Sequence, residues 1–419
     1  MRVARRRSDE GTPPSRRDTL QLGAAGALAL AAGALAGDAP PLDPALAQAA
    51  SRLRYLTPPE AFREFGREKP RVDSLAPEKL REVGLDRETW RLEVVPDPES
   101  NAQVAHPLSR ERGTALDWAG LMRLAETRAV RFLAVLTCTN MPEPLGMGLW
   151  EGVPLRDVVW LARPTGNVRR VFYWGFHNDD PKQRFVSSFS VNRVLEDPPG
   201  ELPVTLCYRL NGQWLPPKLG GPVRLVAPGV YGNKWVKWLQ CVTLTNSYQT
   251  NDTYALWNND VETPMKTQAR FVAPPAKAAA GKPVVLAGVV QVGASGIREV
   301  QVSLQREEAP VPADDPHLTQ ANWRPAQILP PPDWGGELPG GKLPEIPLQF
   351  DPATGRPRSW PLRYTLAHWA ATVTAPTPGR YRLRCRTIDG QGAAQPMPRP
   401  FPKSGNNSLH EVSLEVQGP

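Results

Sequence analysis

The chain has 419 residues with 41% hydrophobic and 22% charged content, a balance that excludes a disordered or coiled-coil protein and, at this length, predicts two domains. Its 48 prolines exclude an architecture of long helices, because an interior proline removes a helical hydrogen bond; strands, edges and loops are favoured instead. The formal net charge of +8 is no nucleic-acid signature: Arg2, Arg5, Arg6, Arg7, Arg16 and Arg17 carry part of the excess, and no long Lys/Arg block follows them, which leaves a mildly basic surface suited to a small anion.

The N-terminus reads as a targeting segment. Ser15-Arg16-Arg17-Asp18-Thr19-Leu20 fits a twin-arginine signal, Leu22 to Leu35 is an Ala/Gly/Leu stretch, and Ala45-Leu46-Ala47 offers a small-x-small cleavage site. Residues 1–47 are therefore expected to be a signal peptide, and the protein to be periplasmic or otherwise exported. The apolar stretch is barely long enough to span ~30 Å of hydrocarbon, so a membrane link is expected only through an uncleaved signal. Export of a folded chain favours a cofactor inserted beforehand.

Tyr55 to Gly66 is a turn-rich opening that contains Phe62. Alternation predicts a strand over Glu88 to Val94, and Leu116 to Met122 reads as a short helix. Val130 to Leu136 is an apolar run that empties into a Pro/Gly-rich loop, so Cys138 and the nearby Asn140 are expected where a buried strand opens into a pocket. After Cys138 a Pro/Gly-rich loop gives way to an apolar-periodic segment, in which Trp150-Glu151-Gly152-Val153-Pro154-Leu155-Arg156 is read as a loop, Leu155 to Ala162 has helical spacing, and Val171 to Phe176 reads as strand. His177 sits beside a polar turn with no second histidine at metal spacing, and is read as a loop residue. Val204 to Leu210 and the Asn211-Gly212 turn form a hairpin.

Gly220 to Trp238 is the second chemical stretch. Arg224, Lys234 and Lys237 supply cations, and Gly232 permits close backbone approach, as a phosphate would require. Tyr248 follows in a polar segment. Pro274 to Lys282 reads as a linker, beyond which Val284 to Val290, Ile297 to Leu304 and Arg380 to Gly390 alternate as strands. Pro310 to Pro357 reads as a Pro/Gly-rich inserted loop. Cys138, Cys207, Cys241 and Cys385 also admit a reading as two disulfides in an exported β-rich binding protein, with three possible pairings.

The Cys138-Thr139-Asn140 loop followed by Trp150-Glu151-Gly152-Val153-Pro154-Leu155-Arg156-Asp157-Val158 resembles the molybdenum-ligating segment of the sulfite oxidase family of molybdopterin-dependent oxidoreductases. Gly221-Pro222-Val223-Arg224 and Gly232-Asn233-Lys234-Trp235-Val236-Lys237-Trp238 resemble that family's phosphate-holding segments, in the expected order. The resemblance implies a mixed α+β, mainly β, molybdopterin domain over residues 48–270 and an immunoglobulin-like dimerisation sandwich over residues 271–419, interrupted near 310–357. It implies a molybdenum–molybdopterin cofactor with Cys138 as the metal ligand, and Asn140 and Tyr248 as catalytic residues. Arg224, Lys234, Lys237, Gly232 and Phe62 would hold the cofactor. Thiolate suits molybdenum, which takes soft sulfur ligands. The implied activity is two-electron oxidation with oxygen-atom transfer, with electrons passed to a separate acceptor such as a c-type cytochrome. The opening segment Phe62-Arg63-Glu64-Phe65-Gly66 is similar instead to that of a periplasmic methionine-sulfoxide reductase, and Met141-Pro142 stands where sulfite oxidases carry an arginine. A small oxyanion and an S- or N-oxide both stand as substrates at this point.

Overall fold

The structure, a computed structural model, describes residues 44–51, 53–63, 71–177, 180–198, 200–339, 341–343, 345–396 and 404–418. The twin-arginine motif and its apolar stretch, and Glu64, Phe65, Gly66, Asn178 and Asp179 of the sequence expectations, lie outside them. No helix among the described residues is long and apolar enough to cross a membrane.

Three sheets carry the described residues. The first is built from β1 (Arg91–Pro96), β2 (Leu116–Asp117), β5 (Arg170–Gly175), β6 (Val186–Ser190) and β10 (Leu239–Thr245), in the order β2-β1-β10-β5-β6. Its β1/β10 pair is parallel, with Val94 opposite Val242. The second holds β3 (Val130–Thr137), β4 (Pro144–Pro154), β7 (Thr205–Leu210) and β8 (Gln213–Trp214), with β9 (Arg224–Val226) paired to β7. The Asn211-Gly212 hairpin joins β7 to β8 as the sequence predicts. Between β2 and β3 runs the helix Trp118–Arg128, whose first turn is capped by the Asp117 carboxylate accepting from Gly120 N at 2.7 Å.

One expectation is overturned at the centre. The expected loops after Cys138 and from Trp150 are strand from Pro144 to Pro154: β4 pairs with β3 from Gly152 opposite Val130 to Gly146 opposite Leu136. The glycines do not break it, because each gives room to a neighbour. A Cβ on Gly146 would lie 2.5 Å from the Phe62 ring. β3 is buried from Phe132 to Thr137, and β3 and β4 lie at the heart of a core that includes Trp90, Leu121, Trp150, Tyr173 and Tyr231.

The C-terminal part is a path of eight strands, β11 (Gln268–Phe271), β12 (Lys277–Ala279), β13 (Pro283–Gln291), β14 (Glu299–Arg306), β15 (Arg324–Ile328), β16 (Leu366–Thr374), β17 (Gly379–Ile388) and β18 (His410–Gln417), in the order β11-β13-β16-β15-β14-β17-β18-β12. Strands from both ends of the path, through Val284, Leu286 and Trp369 on one side and Val302, Leu383 and Leu414 on the other, bury one shared core. Two sequence readings are corrected here. The expected linker contains β12, parallel to β18. The expected insertion contains β15, which pairs with both β14 and β16, and sends Trp334 and Phe350 into the core of the first part; aromatic burial outweighs the local Pro/Gly bias. The expected boundary at 270 falls inside β11. The expected cleavage site lies in the helix Pro44–Ala50, which packs on β13 and β16 with Leu46 buried.

Candidate active site

Cys138 follows directly on β3, half-buried and unpaired, at a cleft that opens to solvent. The loop after β3 brings Asn140 to the same walls. β9 adds Arg224, the turn after it adds Gly232, Asn233, Trp235 and Lys237, and the segments after β5 and β8 add His177 and Lys218. Arg63, beyond Phe62, completes the rim. Among the described residues every charged wall residue is thus a cation, since Arg63, Lys218, Arg224 and Lys237 line the cleft and no Asp or Glu does. Such a wall concentrates anions.

The polar groups are held in place from behind. Arg224, 5% exposed, donates to Leu219 O at 3.0 Å and Trp235 O at 3.3 Å, with its guanidinium carbon 5.8 Å from the Trp150 ring. Lys237 Nζ lies 4.1 Å from the Trp238 ring centroid. Asn233 is 8% exposed, yet neither its Nδ2 nor its Oδ1 has a partner in the protein. A buried amide of that kind costs ~1–3 kcal/mol unless a ligand satisfies it. Gly232 is packed so that a Cβ would meet Leu136 Cδ1 at 2.9 Å and Thr137 O at 3.2 Å, which keeps the backbone tight against the strand that delivers Cys138.

Three sequence candidates lie elsewhere. Lys234 does not face the cleft: its Nζ is buried against Asp252 Oδ2 at 3.1 Å and Ser188 O at 2.9 Å. Burial lowers its pKa and the Asp252 carboxylate opposes that shift. The 3-10 turn Gly232–Lys234 aims neighbouring side chains in different directions, so the lysine three residues on lines the cleft and this one does not. Tyr248 is 72% exposed and is not a wall residue; its ring lies under Arg169 and its carbonyl accepts from Arg170. Phe62 is buried behind the wall, edge-on to Trp150 at 6.1 Å.

The tyrosine that does line the cleft is Tyr254. Its hydroxyl lies 3.2 Å from Thr139 Oγ1, in the Cys138 loop. Asp252 fixes it, its Oδ1 accepting from Tyr254 N and Ala255 N at 3.1 Å while its Oδ2 takes the Lys234 ammonium and the Ser188 hydroxyl. The sequence does carry a signal for this: Asp252-Thr253-Tyr254 is a helix N-cap pattern, absent around Tyr248. Lys218, Asn233 and His177 are further wall residues that sequence reasoning did not assign to the site.

All four cysteines are unpaired, which removes the two-disulfide reading. Burial pushes the thiols of Cys207 and Cys385 up and that of Cys241 up to about 12, leaving Cys138 as the thiol with access to the cleft. Among the described residues no group of three or more His, Cys, Asp or Glu comes together as a metal nest.

Residues 82–253 match the family described as an oxidoreductase molybdopterin binding domain. The chain is 30% identical over 230 residues to mitochondrial sulfite oxidase of Mus musculus, covering 52% of this chain and 40% of that protein. It is 32% identical over 120 residues to an NADPH nitrate reductase of Fusarium oxysporum, covering 29% of this chain and 13% of that one. The chain thus spans less than half the length of these curated relatives. Among solved structures, the sulfane dehydrogenase SoxCD of Paracoccus pantotrophus aligns over 91% of this chain and 93% of its own, with a TM-score of 0.55 at 17% identity, a likeness of fold.

Proposed function

This chain belongs to the sulfite oxidase family of molybdopterin-dependent oxidoreductases, and from that premise we propose that it oxidises a small sulfur oxyanion of the sulfite type. The observation that carries the reading is the position of Cys138 at the end of a buried strand, facing a cleft whose charged walls are all cations. The residues fit the molybdenum–molybdopterin cofactor: one accessible thiol suits the metal, and the unpartnered Asn233 amide, the close-packed Gly232 backbone, Arg224 and Lys237 suit a phosphate-bearing pterin. When bound, that group supplies two-electron oxidation and reduction with oxygen-atom transfer.

The chain's own residues orient and select. Cys138, placed at the end of β3, would ligate the metal through its sulfur. Asn140 and the Tyr254 hydroxyl, braced by Thr139, hydrogen-bond the substrate oxygens and hold a proton at the phenol oxygen. Arg63 and Lys218 draw the anion in. Tyr254, Phe185 and Trp257 form a ring cluster, Tyr254 to Trp257 being 6.1 Å between centroids, that runs from the cleft to a Trp257 ring 44% exposed. That cluster supports single-electron exit to a separate acceptor such as a c-type cytochrome.

A second reading, reduction of a sulfoxide or N-oxide, is favoured by Met141 and Pro142 following Asn140 where an oxyanion site gains from another arginine. Export through the twin-arginine pathway and pairing of two copies through an immunoglobulin-like β11–β18 module belong to the same proposal, the latter by analogy of fold. A monomer by light scattering across a wide concentration range removes the dimer. For the activity, molybdenum-loaded protein is given sulfite with ferricyanide, and separately methionine sulfoxide with reduced viologen. Sulfite-dependent ferricyanide reduction, lost in Cys138→Ser, is expected; oxide reduction without it overturns the reading.

A further inference from the structure

The Cys138 loop is held from the C-terminal strands as well as from its own. Pro142 O accepts from Gln268 Nε2 at 3.4 Å, Thr139 O accepts from Asn406 N at 2.8 Å, and Thr137 Oγ1 donates to Gln291 Oε1. At the end of the loop, Glu143 is shared between two arginines. Its Oε2 pairs with Arg63 Nη1, and its Oε1 lies 3.6 Å from Arg270 Nη2. Arg63 lines the cleft; Arg270, on β11 with its side chain 13% exposed, does not. Two cations sharing one carboxylate leave a single net positive charge at the rim.

We propose that this Arg63–Glu143–Arg270 clamp sets the anion selectivity of the cleft. Arg63 is the cation that meets the incoming anion, Glu143 attenuates it, and Arg270 limits the attenuation by drawing the carboxylate from its other side. The clamp rests on the oxyanion reading of this cleft and names the residues that decide how strongly a charged sulfur oxyanion is preferred over a neutral oxide. A unit charge at such a rim is screened only over ~8–10 Å, so its removal changes the encounter of an anion while leaving a neutral molecule of the same size unaffected.

Cys138 itself reports the field in cofactor-free protein. Iodoacetate, an anion, and iodoacetamide, neutral, alkylate a thiolate by the same displacement: a sulfur–carbon bond forms and iodide leaves. Because both reagents attack the same thiolate, the ratio of their rates cancels its protonation, and the other three thiols are buried. The iodoacetate-to-iodoacetamide ratio at Cys138, read by mass mapping at low salt, is expected to fall about threefold or more in Arg63→Met and to rise by a similar factor in Glu143→Gln. Arg270→Met lowers it although Arg270 is outside the cleft, and does so more strongly with Glu143 present than in Glu143→Gln; Arg270→Lys restores it. An unchanged ratio in Arg63→Met, or strictly additive effects of the Glu143 and Arg270 changes, overturns the clamp. Sulfite turnover by loaded wild-type protein tests the underlying reading separately.

Discussion

Replacing Lys234 by Met separates a structural ion pair from a phosphate ligand. The ammonium lies 3.1 Å from Asp252 Oδ2, and the two side chains are 1% and 0% exposed. Removing it strands a buried carboxylate whose Oδ2 retains only the Ser188 hydroxyl at 3.0 Å, and breaking a buried pair from one side costs ~3–5 kcal/mol. Asp252→Asn is expected to cost less, ~1–3 kcal/mol. The amide oxygen still accepts from Tyr254 N and Ala255 N, and the lysine, whose pKa burial already lowers, sheds its proton. The double variant falls short of the sum, because each single change destabilises mainly through the partner it abandons. Urea unfolding of cofactor-free protein, followed by tryptophan fluorescence, measures all three. Lys234→Met within ~1 kcal/mol of wild type, together with lost molybdenum retention, would refute the buried-pair account and return Lys234 to the phosphate.

Arg224→Met and Lys237→Met are expected to lower the molybdenum-to-protein ratio after dialysis about tenfold, since each removes a charge-assisted contact worth ~1.5–3 kcal/mol; elemental analysis reads it. Gly146→Val drives a side chain against the Phe62 ring, 2.5 Å from the Cβ position, and should lower thermal stability by ~1–3 kcal/mol. His368 is 1% exposed and burial lowers its pKa from 6.5 to about 4. Between those values the unfolded chain binds more protons, so stability falls as pH drops from about 6.5 toward 4, by up to ~3 kcal/mol. His368→Phe should flatten that slope in urea midpoints measured at pH 4 and 7.

The strand that delivers Cys138, the Asn211-Gly212 hairpin and the alternating C-terminal strands were legible because each rests on local pattern: an apolar run, a turn dipeptide, a period of two. What failed was what depends on partners far along the chain. Gly146, Gly148 and Gly152 resemble loop residues until Phe62, Leu210 and Leu206 press against them. The Pro-rich stretch around Trp334 looks unstructured until the first core claims its ring. Within the site, Arg224, Lys237, Gly232, Cys138 and Asn140 do converge, whereas Lys234 and Tyr248 do not. Basic residues three apart, Lys234 and Lys237, look alike in sequence; a 3-10 turn and a buried aspartate distinguish them.

The grip of Gln268, Gln291 and Asn406 on the cysteine loop makes the chain indivisible at the place where sequence suggests a seam. A chimera that joins residues up to 270 to a foreign partner module would cut β11 before its last residue, Phe271, and lose Gln291 and Asn406, two of the three residues that hold Thr137, Thr139 and Pro142. Recombination between relatives is therefore tolerated only when both halves travel together, and sequence drift in the C-terminal strands is constrained by the chemistry of a loop more than a hundred residues upstream.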